Sequence, residues 1–435
     1  MGRKSSMGAD VVVIGAGVVG ASVAFELAKA GYGVVVVDKA AGVGHGSTSA
    51  SSAVVRFNFS TAAGVDAAWE SRACWESWAD HLELPAGHDL ARYVRTGLAM
   101  LDVDLAPRKT YLPLFDAAGI PYEEWDSVTL AARVPGIDVG KYWPPKRVDD
   151  DAFWKDAEAT LGAVYTPDGG YVNDPQLAAR NLADAAATRG AEFRLGREVI
   201  GIDRGERVTG VRLAGGERLA CAIVVNAAGP WSSRVNALAG VGGDFTVGLR
   251  PMRQEVHHVP APEPLRTKGM CFADMDLGTY VRPETGGGLL VGGTEPECDP
   301  VQWLDDPDAL NPNPTQAVFD AQVTRAARRL PELAVPNRAR GVAGVYDVAD
   351  DWTPIYDQTD LPGFYVAIGT SGNQFKNAPV VGRFLAAIVE QVENGRSHDE
   401  FPVRFRAPHT GAEIELAAFS RRRPLNSGSS GTVMG

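Results

Sequence analysis

The sequence is poor in cysteine and has a deficit of positive charge. Its 435 residues include only four cysteines, which are widely spaced and form no Cys-x-x-Cys pair: Cys74, Cys221, Cys271 and Cys298. This spacing predicts unpaired thiols in a reducing compartment and no metal site. A formal net charge of −12 argues against nucleic acid as a partner, because a protein that binds phosphate backbones needs a basic surface.

Long apolar runs are also missing. No run approaches the roughly 18 consecutive apolar residues that a membrane-spanning helix requires. The leader, residues 1–10, contains Arg3 and Lys4 but lacks the apolar stretch of a secretory signal. We therefore expect a cytoplasmic protein with no membrane span. With 45% apolar and 22% charged residues, the chain is long enough for two or three cores, or one discontinuous pair of domains.

A strand, a glycine-rich turn and a helix form the first clear pattern. Four apolar β-formers at 11–14 run into a Gly-x-Gly-x-x-Gly turn at 15–20, and a helical stretch follows at 21–30. A second buried strand at 34–38 ends in an acid. A parallel unit with this turn is the layout that a dinucleotide requires, and the combination is more specific than the glycines alone.

Each position in this unit has a physical role. Gly15 allows the tight turn, Gly17 lets the backbone approach a pyrophosphate, and Gly20 lets the helix pack close to the strand. The helix start offers free N–H groups to the phosphates. Asp38 lies where a carboxylate can accept hydrogen bonds from ribose hydroxyls. We therefore predict a bound dinucleotide.

Two later segments also end a strand in small residues. Residues 223–231 read Ile-Val-Val-Asn-Ala-Ala-Gly-Pro-Trp, and residues 364–379 form a strand, a glycine turn and the start of a helix. Small residues at these places leave room for a cofactor that lies across the strand ends. Three such turns predict one extended ligand that is reached from the N-terminal, middle and C-terminal parts of the chain.

The remaining elements are predicted from periodicity and turn residues. A helix at 61–84 carries Trp69, Trp75 and Trp78 at helical spacing, which predicts core packing rather than a ligand cage. The other predicted elements are strands at 97–101, 191–195 and 198–202, helices at 177–188, 315–330 and 379–394, a hairpin of 208–213 with 218–225, and antiparallel strands over 245–295. The three arginines at 421–423 are interpreted as a solvated charge run.

Together these motifs resemble the FAD-dependent D-amino acid oxidase superfamily over about residues 8–420. Within it, the sarcosine oxidase, glycine oxidase and dimethylglycine dehydrogenase branch is the most similar. The resemblance is carried by the glycine turn with Asp38, Gly-Ser-Thr at 46–48, Gly-Tyr-Val-Asn-Asp-Pro at 170–175, Asn-Ala-Ala-Gly-Pro-Trp at 226–231 and Gly-Thr-Ser-Gly-Asn-Gln-Phe-Lys at 369–376.

The resemblance implies an α/β fold (α+β overall). It would consist of a Rossmann-type FAD-binding domain made of discontinuous segments, 8–90, 161–235 and 340–420, and a substrate domain built on an antiparallel sheet, 91–160 and 236–339. A polar tail would follow at 421–435. The residues expected to bind FAD are Gly15, Gly17, Val18, Gly20, Asp38, Lys39, Gly46, Ser47, Thr48, Val199, Ala228, Gly229, Trp231, Gly369, Gly372, Asn373, Gln374, Phe375 and Lys376.

The resemblance also implies a clamp for a substrate carboxylate. Arg56 and Lys376 match an arginine and a lysine that hold such a group over the flavin, and a guanidinium can grip a carboxylate through two hydrogen bonds. The alternatives are a structural ion pair for Arg56 and an exposed helix-end lysine for Lys376. Tyr280 matches a tyrosine that lines the substrate pocket, although core packing would explain it equally, and Arg282 could brace the sheet.

Departures from the family pattern bear on flavin attachment and on the electron acceptor. No cysteine stands at 344–348, and His45 precedes the Gly-Ser-Thr loop instead of following it, so we predict non-covalent FAD. Leu290 stands where a lysine would assist oxygen reduction. The acceptor could therefore be oxygen, a quinone or a carrier protein.

The expected function is oxidation of the C–N bond of a primary or secondary amino acid, such as glycine, sarcosine or an N-alkyl amino acid. A hydride would pass from the α-carbon to flavin N5, and water would hydrolyse the imine. Three alternatives stay open: a 2-hydroxyacid dehydrogenase with His257 or His258 as base, a secondary-metabolism enzyme acting on a larger amine, and a non-enzymatic homologue.

Overall fold

The computed structural model describes residues 9–85 and 87–434, and at positions 267 and 268 only the backbone. Residues 1–8 of the predicted leader and position 435 of the predicted tail lie outside this range. The strands are β1 (Val11–Ile14), β2 (Val34–Asp38), β3 (Val54–Val55), β4 (Tyr93–Arg95), β5 (Leu98–Leu101), β6 (Glu123–Trp125), β7 (Ala163–Thr166), β8 (Gly170–Val172), β9 (Glu192–Leu195), β10 (Val199–Arg204), β11 (Val208–Leu213), β12 (Arg218–Ala220), β13 (Ile223–Asn226), β14 (Leu249–Pro260), β15 (Cys271–Asp274), β16 (Thr279–Glu284), β17 (Gly288–Gly293), β18 (Gln302–Trp303), β19 (Gly341–Ala349), β20 (Ile355–Gln358), β21 (Phe364–Ile368), β22 (Arg404–Arg406) and β23 (Glu413–Glu415).

Of the helices in the described part of the chain, four match predicted helices closely, two correspond to the single helix predicted at 61–84, and four were not predicted. The helices are α1 (Val18–Lys29), α2 (Ala62–Glu76), α3 (Trp78–Leu82), α4 (Arg108–Ala118), α5 (Ser127–Arg133), α6 (Pro175–Thr188), α7 (Ser232–Ala239), α8 (Glu263–Lys268), α9 (Gln316–Arg329) and α10 (Ala378–Glu393). Within the described part of the chain, none of them combines the length and the apolar character needed to cross a bilayer.

A six-stranded sheet has β1 near its centre. Its strand order is β20-β21-β13-β1-β2-β9, and all neighbours are parallel except the edge pair of β20 and β21. Val11 and Val13 face one hydrophobic core, and Val12 and Ile14 face another. Burial on both faces explains why β1 is an unbroken apolar run.

Helices cover one face of this sheet, where α1 packs against both α6 and α10. The Asp174 carboxylate begins α6, because it accepts a hydrogen bond of 2.8 Å from the Leu177 N–H. On the other face lie α7 and a three-stranded sheet of β10, β11 and β12. Trp75 and Trp78 are buried in the core, which confirms their prediction, and Trp69 is half-buried against the same core.

A nine-stranded, mainly antiparallel sheet faces the six-stranded one across the functional cavity described below. Its order is β18-β14-β17-β16-β15-β5-β7-β6, with β19 also paired to β14. The helix α9 packs on β14, β16 and β17. Both β7 and β19 belong to this sheet, although they fall inside ranges predicted for the FAD-binding segments. The fold is α/β (α+β overall), as expected, while the division into segments stays a prediction.

The predicted hairpin of 208–213 with 218–225 is only partly correct. The strand β12 pairs with β11 and ends at Ala220. Residues 223–226 form the separate strand β13, which crosses to the six-stranded sheet between β1 and β21. This division is physically reasonable because Ile-Val-Val is apolar on both faces and suits a strand buried on both sides.

The interpretation of residues 421–423 as a solvated charge run is wrong for Arg421 and Arg423, and it holds only for the exposed Arg422. Arg421 is fully buried and forms ion pairs with Asp244, Asp357 and Asp399. Arg423 is also buried, and its guanidinium lies 2.9 Å from Asp351. These pairs anchor the end of the chain to the rest of the protein.

Candidate active site

A cavity of about 590 Å³ lies between the two large sheets. It begins at the carboxyl ends of β1, β2 and β13, where Ile14, Asp38 and Ala227 line it, and it extends to Gln254 and Tyr280 of the nine-stranded sheet. In parallel α/β sheets, ligands bind outside the carboxyl ends of the strands. The cavity therefore occupies the place that the three strand-and-turn motifs predict.

The two glycines that line this end have different surroundings. Gly15 has a φ of +110°, and a Cβ there would lie 2.3 Å from the carbonyl oxygen of Ala227. Gly17 has ordinary extended backbone, and a Cβ there would meet only the Thr48 Oγ1, at 3.2 Å. The fold itself thus requires glycine at position 15, whereas the lack of a side chain at Gly17 mainly keeps the cavity open.

The start of α1 directs backbone N–H groups toward the cavity. The Val18 N–H donates to Thr48 Oγ1 over 3.0 Å. The Val19 N–H has no acceptor among the described residues, and no acidic side chain occupies the first turn. The positive end of the helix is therefore available to an anion.

Asp38 holds the loops on either side of it. Its two oxygens accept hydrogen bonds from the Ala16 N–H at 2.6 Å and the Ala40 N–H at 2.7 Å. Each carboxylate oxygen has a second lone pair, so the group can also accept hydroxyl donors from the cavity. Next to it, the Lys39 ammonium lies 4.1 Å from the centre of the Trp231 ring.

Most residues that the sequence assigns to cofactor binding line the one cavity. They are Gly15, Gly17, Val18, Asp38, Lys39, Gly46, Ser47, Thr48, Val199, Ala228, Gly229, Trp231, Gly372, Asn373, Gln374, Phe375 and Lys376.

Gly20 and Gly369 do not line the cavity. A Cβ on Gly20 would lie 1.9 Å from the Gly15 carbonyl oxygen, so this glycine serves the packing of α1. Gly369 has a φ of +69° and donates its N–H to the Asp347 carboxylate, so it shapes the turn. With an open helix start, a glycine at the phosphate position and an acceptor for hydroxyls, the described residues fit a flavin dinucleotide.

Arg56 lies at the other end of the cavity, directly after β3. Its guanidinium donates hydrogen bonds to the carbonyl oxygens of Asn58 and Val433 and lies 5.1 Å from the Phe59 ring. Among the described residues it has no carboxylate partner, so the interpretation as a structural ion pair is wrong. Burial lowers the pKa of Arg56 to about 10.

Lys376 lies in the short turn Phe375–Asn377 before α10 and is only 2% exposed. Its ammonium donates to the Asn373 carbonyl and lies 4.5 Å from the Phe59 ring. Burial, and secondly the charge of Arg56, hold the pKa of Lys376 well below its usual value. The interpretation as an exposed lysine is therefore wrong.

Tyr280 faces the cavity from β16. Its hydroxyl lies 2.6 Å from the Ser52 hydroxyl, and burial raises the pKa of Tyr280 to about 12. The phenol is therefore neutral near pH 7. Arg282 does not line the cavity; it pairs with Glu284 at 2.9 Å and stacks on Tyr171, which agrees with a bracing role.

Several lining residues were not singled out from the sequence. Asp347 accepts hydrogen bonds from the Gly369 N–H and the Thr370 hydroxyl and so fixes the turn that carries Lys376. Tyr346 precedes it on β19. Val433 and Met434 line the cavity from the end of the chain. The tail offered no signal, because its composition is that of an exposed linker.

The histidines are distributed unevenly around the site. His45 is exposed and lines the cavity near Gly46. His257 is fully buried, packs edge-on against Phe319 of α9 at 5.3 Å, and has a pKa lowered by burial. Within the described chain, neither His257 nor His258 lines the cavity.

Comparison with known proteins gives the family. The family model described as FAD dependent oxidoreductase matches residues 10–388. Glycine oxidase from Geobacillus kaustophilus (strain HTA426) is 29% identical over 397 residues, which cover 88% of this chain and 93% of the relative.

Solved structures show the same architecture. Glycine oxidase from Geobacillus kaustophilus superimposes with a TM-score of 0.71 at 26% identity, covering 91% of this chain and 98% of that one. L-proline dehydrogenase from P. horikoshii superimposes with a TM-score of 0.75 at 22% identity, covering 96% and 98%. The chain belongs to the FAD dependent oxidoreductase family, and it is an enzyme that uses FAD as its cofactor.

Proposed function

We propose that this enzyme oxidises the C–N bond of a small primary or secondary amino acid. The observation that carries the proposal is the pair of buried basic side chains at one end of the cavity. Arg56 and Lys376 have only carbonyl oxygens as acceptors among the described residues. Buried charges without a counterion are costly, and a substrate carboxylate would supply the missing negative charge.

The alignment with the relative named glycine oxidase covers most of both chains. This similarity supports an amine as the reacting group. A 2-hydroxyacid dehydrogenase would keep the same clamp but would need a base near the reacting alcohol. His257 packs under α9, away from the cavity. The positions of His257 and His258, the two histidines considered as that base, therefore favour the amine over the alcohol.

Each part of the site has a separate task in this proposal. The start of α1, Asp38 and the other lining residues would hold FAD. When bound, the flavin accepts the hydride that leaves the substrate's α-carbon. Arg56 and Lys376 fix the carboxylate, so that the α-carbon has one orientation and little freedom. The paired hydroxyls of Tyr280 and Ser52 form a neutral polar wall beside it.

The protons and electrons balance without a dedicated base. The substrate amine must be neutral, so that its lone pair forms the C=N bond as the α-hydrogen leaves with its electron pair. The imine loses any remaining N–H proton to solvent, and water then converts it into a carbonyl compound and an amine. Activity should therefore rise with pH as the bound amine loses its proton.

Flavin attachment and the acceptor are proposed from residues that are present. Residues 344–347 line the cavity and contain no cysteine, and His45 lies on an exposed loop, so we propose non-covalent FAD. Leu290 does not line the cavity among the described residues. We propose oxygen or a quinone or carrier as the acceptor.

An anaerobic comparison of glycine, sarcosine and glycolate tests the proposal. The three compounds are achiral and differ only in the group on the α-carbon. Glycine or sarcosine should bleach the flavin absorbance, and glycolate should not. Bleaching by glycolate alone would replace the proposal with hydroxyacid oxidation.

A further inference from the structure

The last described residues reach the substrate end of the cavity. We define the C-terminal strap as residues 426–434. Its first residue is tied down twice: the Asn426 N–H donates to Asp351 at 3.2 Å, and the Asn426 amide donates to the Ser60 hydroxyl at 2.8 Å. Thr432 and Met434 are buried at its other end. The strap is therefore held at both ends, while Ser427, Gly428 and Gly431 between them are exposed.

Val433 occupies the proposed carboxylate clamp. Its carbonyl oxygen accepts a hydrogen bond from the Arg56 guanidinium. Both Val433 and Met434 line the cavity together with Arg56, Lys376 and Tyr280. A peptide carbonyl is a weaker partner for a guanidinium than a carboxylate, which carries a full charge and can accept two parallel hydrogen bonds.

Glu295 lies near the backbone N–H of Val433. The backbone N–H of Val433 faces its carboxyl and partly offsets the effect of burial, which raises the pKa of Glu295 to about 8. Both carboxyl oxygens are buried and have no hydrogen bond that meets standard geometry within the described chain. Glu295 also has a φ of +53°, a backbone conformation that residues other than glycine rarely adopt.

The backbone of Val433 has the same N–Cα–C=O frame as an α-amino acid. Its oxygen is held by Arg56, and its nitrogen faces Glu295. We propose that Val433 is an internal substrate mimic and that the C-terminal strap must leave the clamp before an amino acid binds. This inference rests on the proposed function, since it takes Arg56 to be the carboxylate site.

A displaceable occupant has a measurable consequence. Only protein molecules with an open clamp can bind an external ligand. The apparent Kd therefore equals the intrinsic Kd divided by the fraction of protein in which the clamp is open. If the strap competes with the ligand, removing it should tighten the binding of a small carboxylate. If the strap only covers the bound ligand, removing it should weaken that binding. The two possibilities predict changes of opposite sign.

The probe is acetate, which carries a carboxylate and no amine, bound to the FAD-loaded enzyme and followed by calorimetry and flavin absorbance. Four proteins are compared: wild type, a chain that ends at Leu425, Arg56→Ala, and the combination of both changes. Truncation should lower the Kd for acetate about tenfold or more when Arg56 is present, and should have no such effect in the Arg56→Ala background.

A point variant covers the case in which the truncated chain does not fold. Asn426→Ala removes one anchor of the strap and should lower the acetate Kd about threefold. Its matched control is Asn394→Ala, because the Asn394 amide also donates one hydrogen bond of 2.8 Å, to Glu390 at the distant end of α10. The control should leave the Kd unchanged.

The outcomes separate the two proposals. If Arg56→Ala weakens acetate binding but truncation and Asn426→Ala leave it unchanged or weaken it, the mimic is overturned and the clamp stands. If Arg56→Ala changes the acetate Kd in neither chain length, the clamp itself fails, and the mimic fails with it.

Discussion

Arg56 and Lys376 share the Phe59 ring, with the guanidinium carbon 5.1 Å and the ammonium nitrogen 4.5 Å from its centre. The ring and the surrounding core keep water away from two like charges at the same end of the cavity. Like charges in an environment of low polarity repel strongly. The free enzyme therefore holds an unfavourable arrangement that an anionic substrate group would relieve.

The first prediction concerns the pH dependence of carboxylate binding. Because the pKa of Lys376 is held low in the free enzyme, the cation loses its proton as pH rises, whereas a bound carboxylate would stabilise the proton. The Kd for acetate should rise with pH above the lowered pKa, by up to about tenfold per pH unit. Binding measured from acidic to alkaline pH tests this.

Lys376→Met should remove this pH dependence of the acetate Kd, and the variant should bind acetate weakly at every pH measured. Lys141→Met changes a partly exposed lysine that pairs with Asp104 at 2.7 Å, and it should behave as wild type. An unchanged pH profile in Lys376→Met would mean that Lys376 does not contribute to the clamp.

The second prediction concerns Gly17. An alanine there meets only the end of the Thr48 side chain, so the protein should fold, with an apoprotein Tm close to that of wild type. The added methyl group would take space that the phosphates need, and FAD binding should weaken about tenfold or more. Fluorescence titration of apoprotein with FAD measures this.

Gly205→Ala is the matched control, because a Cβ there meets nothing within 4 Å. It should leave FAD affinity unchanged. Wild-type FAD affinity in Gly17→Ala would show that the cofactor does not approach this part of the turn.

The third prediction concerns the buried arginine near the end of the chain. Arg421→Met leaves the fully buried Asp357 without its cation, at a cost of about 3–5 kcal/mol in the free energy of unfolding. Arg422→Met changes a half-exposed neighbour and should cost less than about 1 kcal/mol. Urea unfolding of the two variants measures the difference, and equal costs would contradict the account of this ion cluster.

The fourth prediction concerns Glu295. Its folded pKa is raised from an ordinary 4.5 to about 8, so its favourable contribution is present below about pH 4.5 and is lost as pH rises toward 8. Glu295→Gln should therefore become more stable than wild type across this window, by up to about 5 kcal/mol at pH 8.5.

Thermal unfolding at pH 5 and pH 8.5 measures this difference. Glu297→Gln, an exposed glutamate two residues away, is the control and should show no such trend. A stability difference between Glu295→Gln and wild type that does not grow with pH would mean that Glu295 ionises normally.

Local patterns predicted much of the fold. The unit of β1, α1 and β2 was predicted from two apolar runs and the glycine turn between them, a combination that fits few other structures. The start of α6 was predicted from Asp174, because side-chain capping involves only residues close together in the sequence. Periodicity could not assign β7 and β19 to a sheet, since strand pairing depends on distant partners. The hairpin at 208–225 was predicted too long for the same reason.

The cofactor-binding part of the site was predictable from the glycine turns at the strand ends. Arg56, Lys376 and Tyr280 were proposed from the family resemblance, and the fold brings all three to one end of the cavity. Val433 could not be found, because the sequence around it is typical of a solvated linker. The ion pairs of Arg421 and Arg423 hold the chain just before the strap, and a local sequence pattern does not reveal that these arginines are buried.

The most direct test of the carboxylate clamp compares sarcosine with dimethylamine, which has the same N-methyl amine without the carboxylate. In anaerobic stopped-flow experiments, wild type should reduce its flavin with sarcosine and hardly at all with dimethylamine. Arg56→Met and Lys376→Met should each lower kcat/KM for sarcosine about 100-fold per bound FAD. Equal rates with the two amines in wild type, or wild-type rates with sarcosine in both variants, would contradict the proposed function.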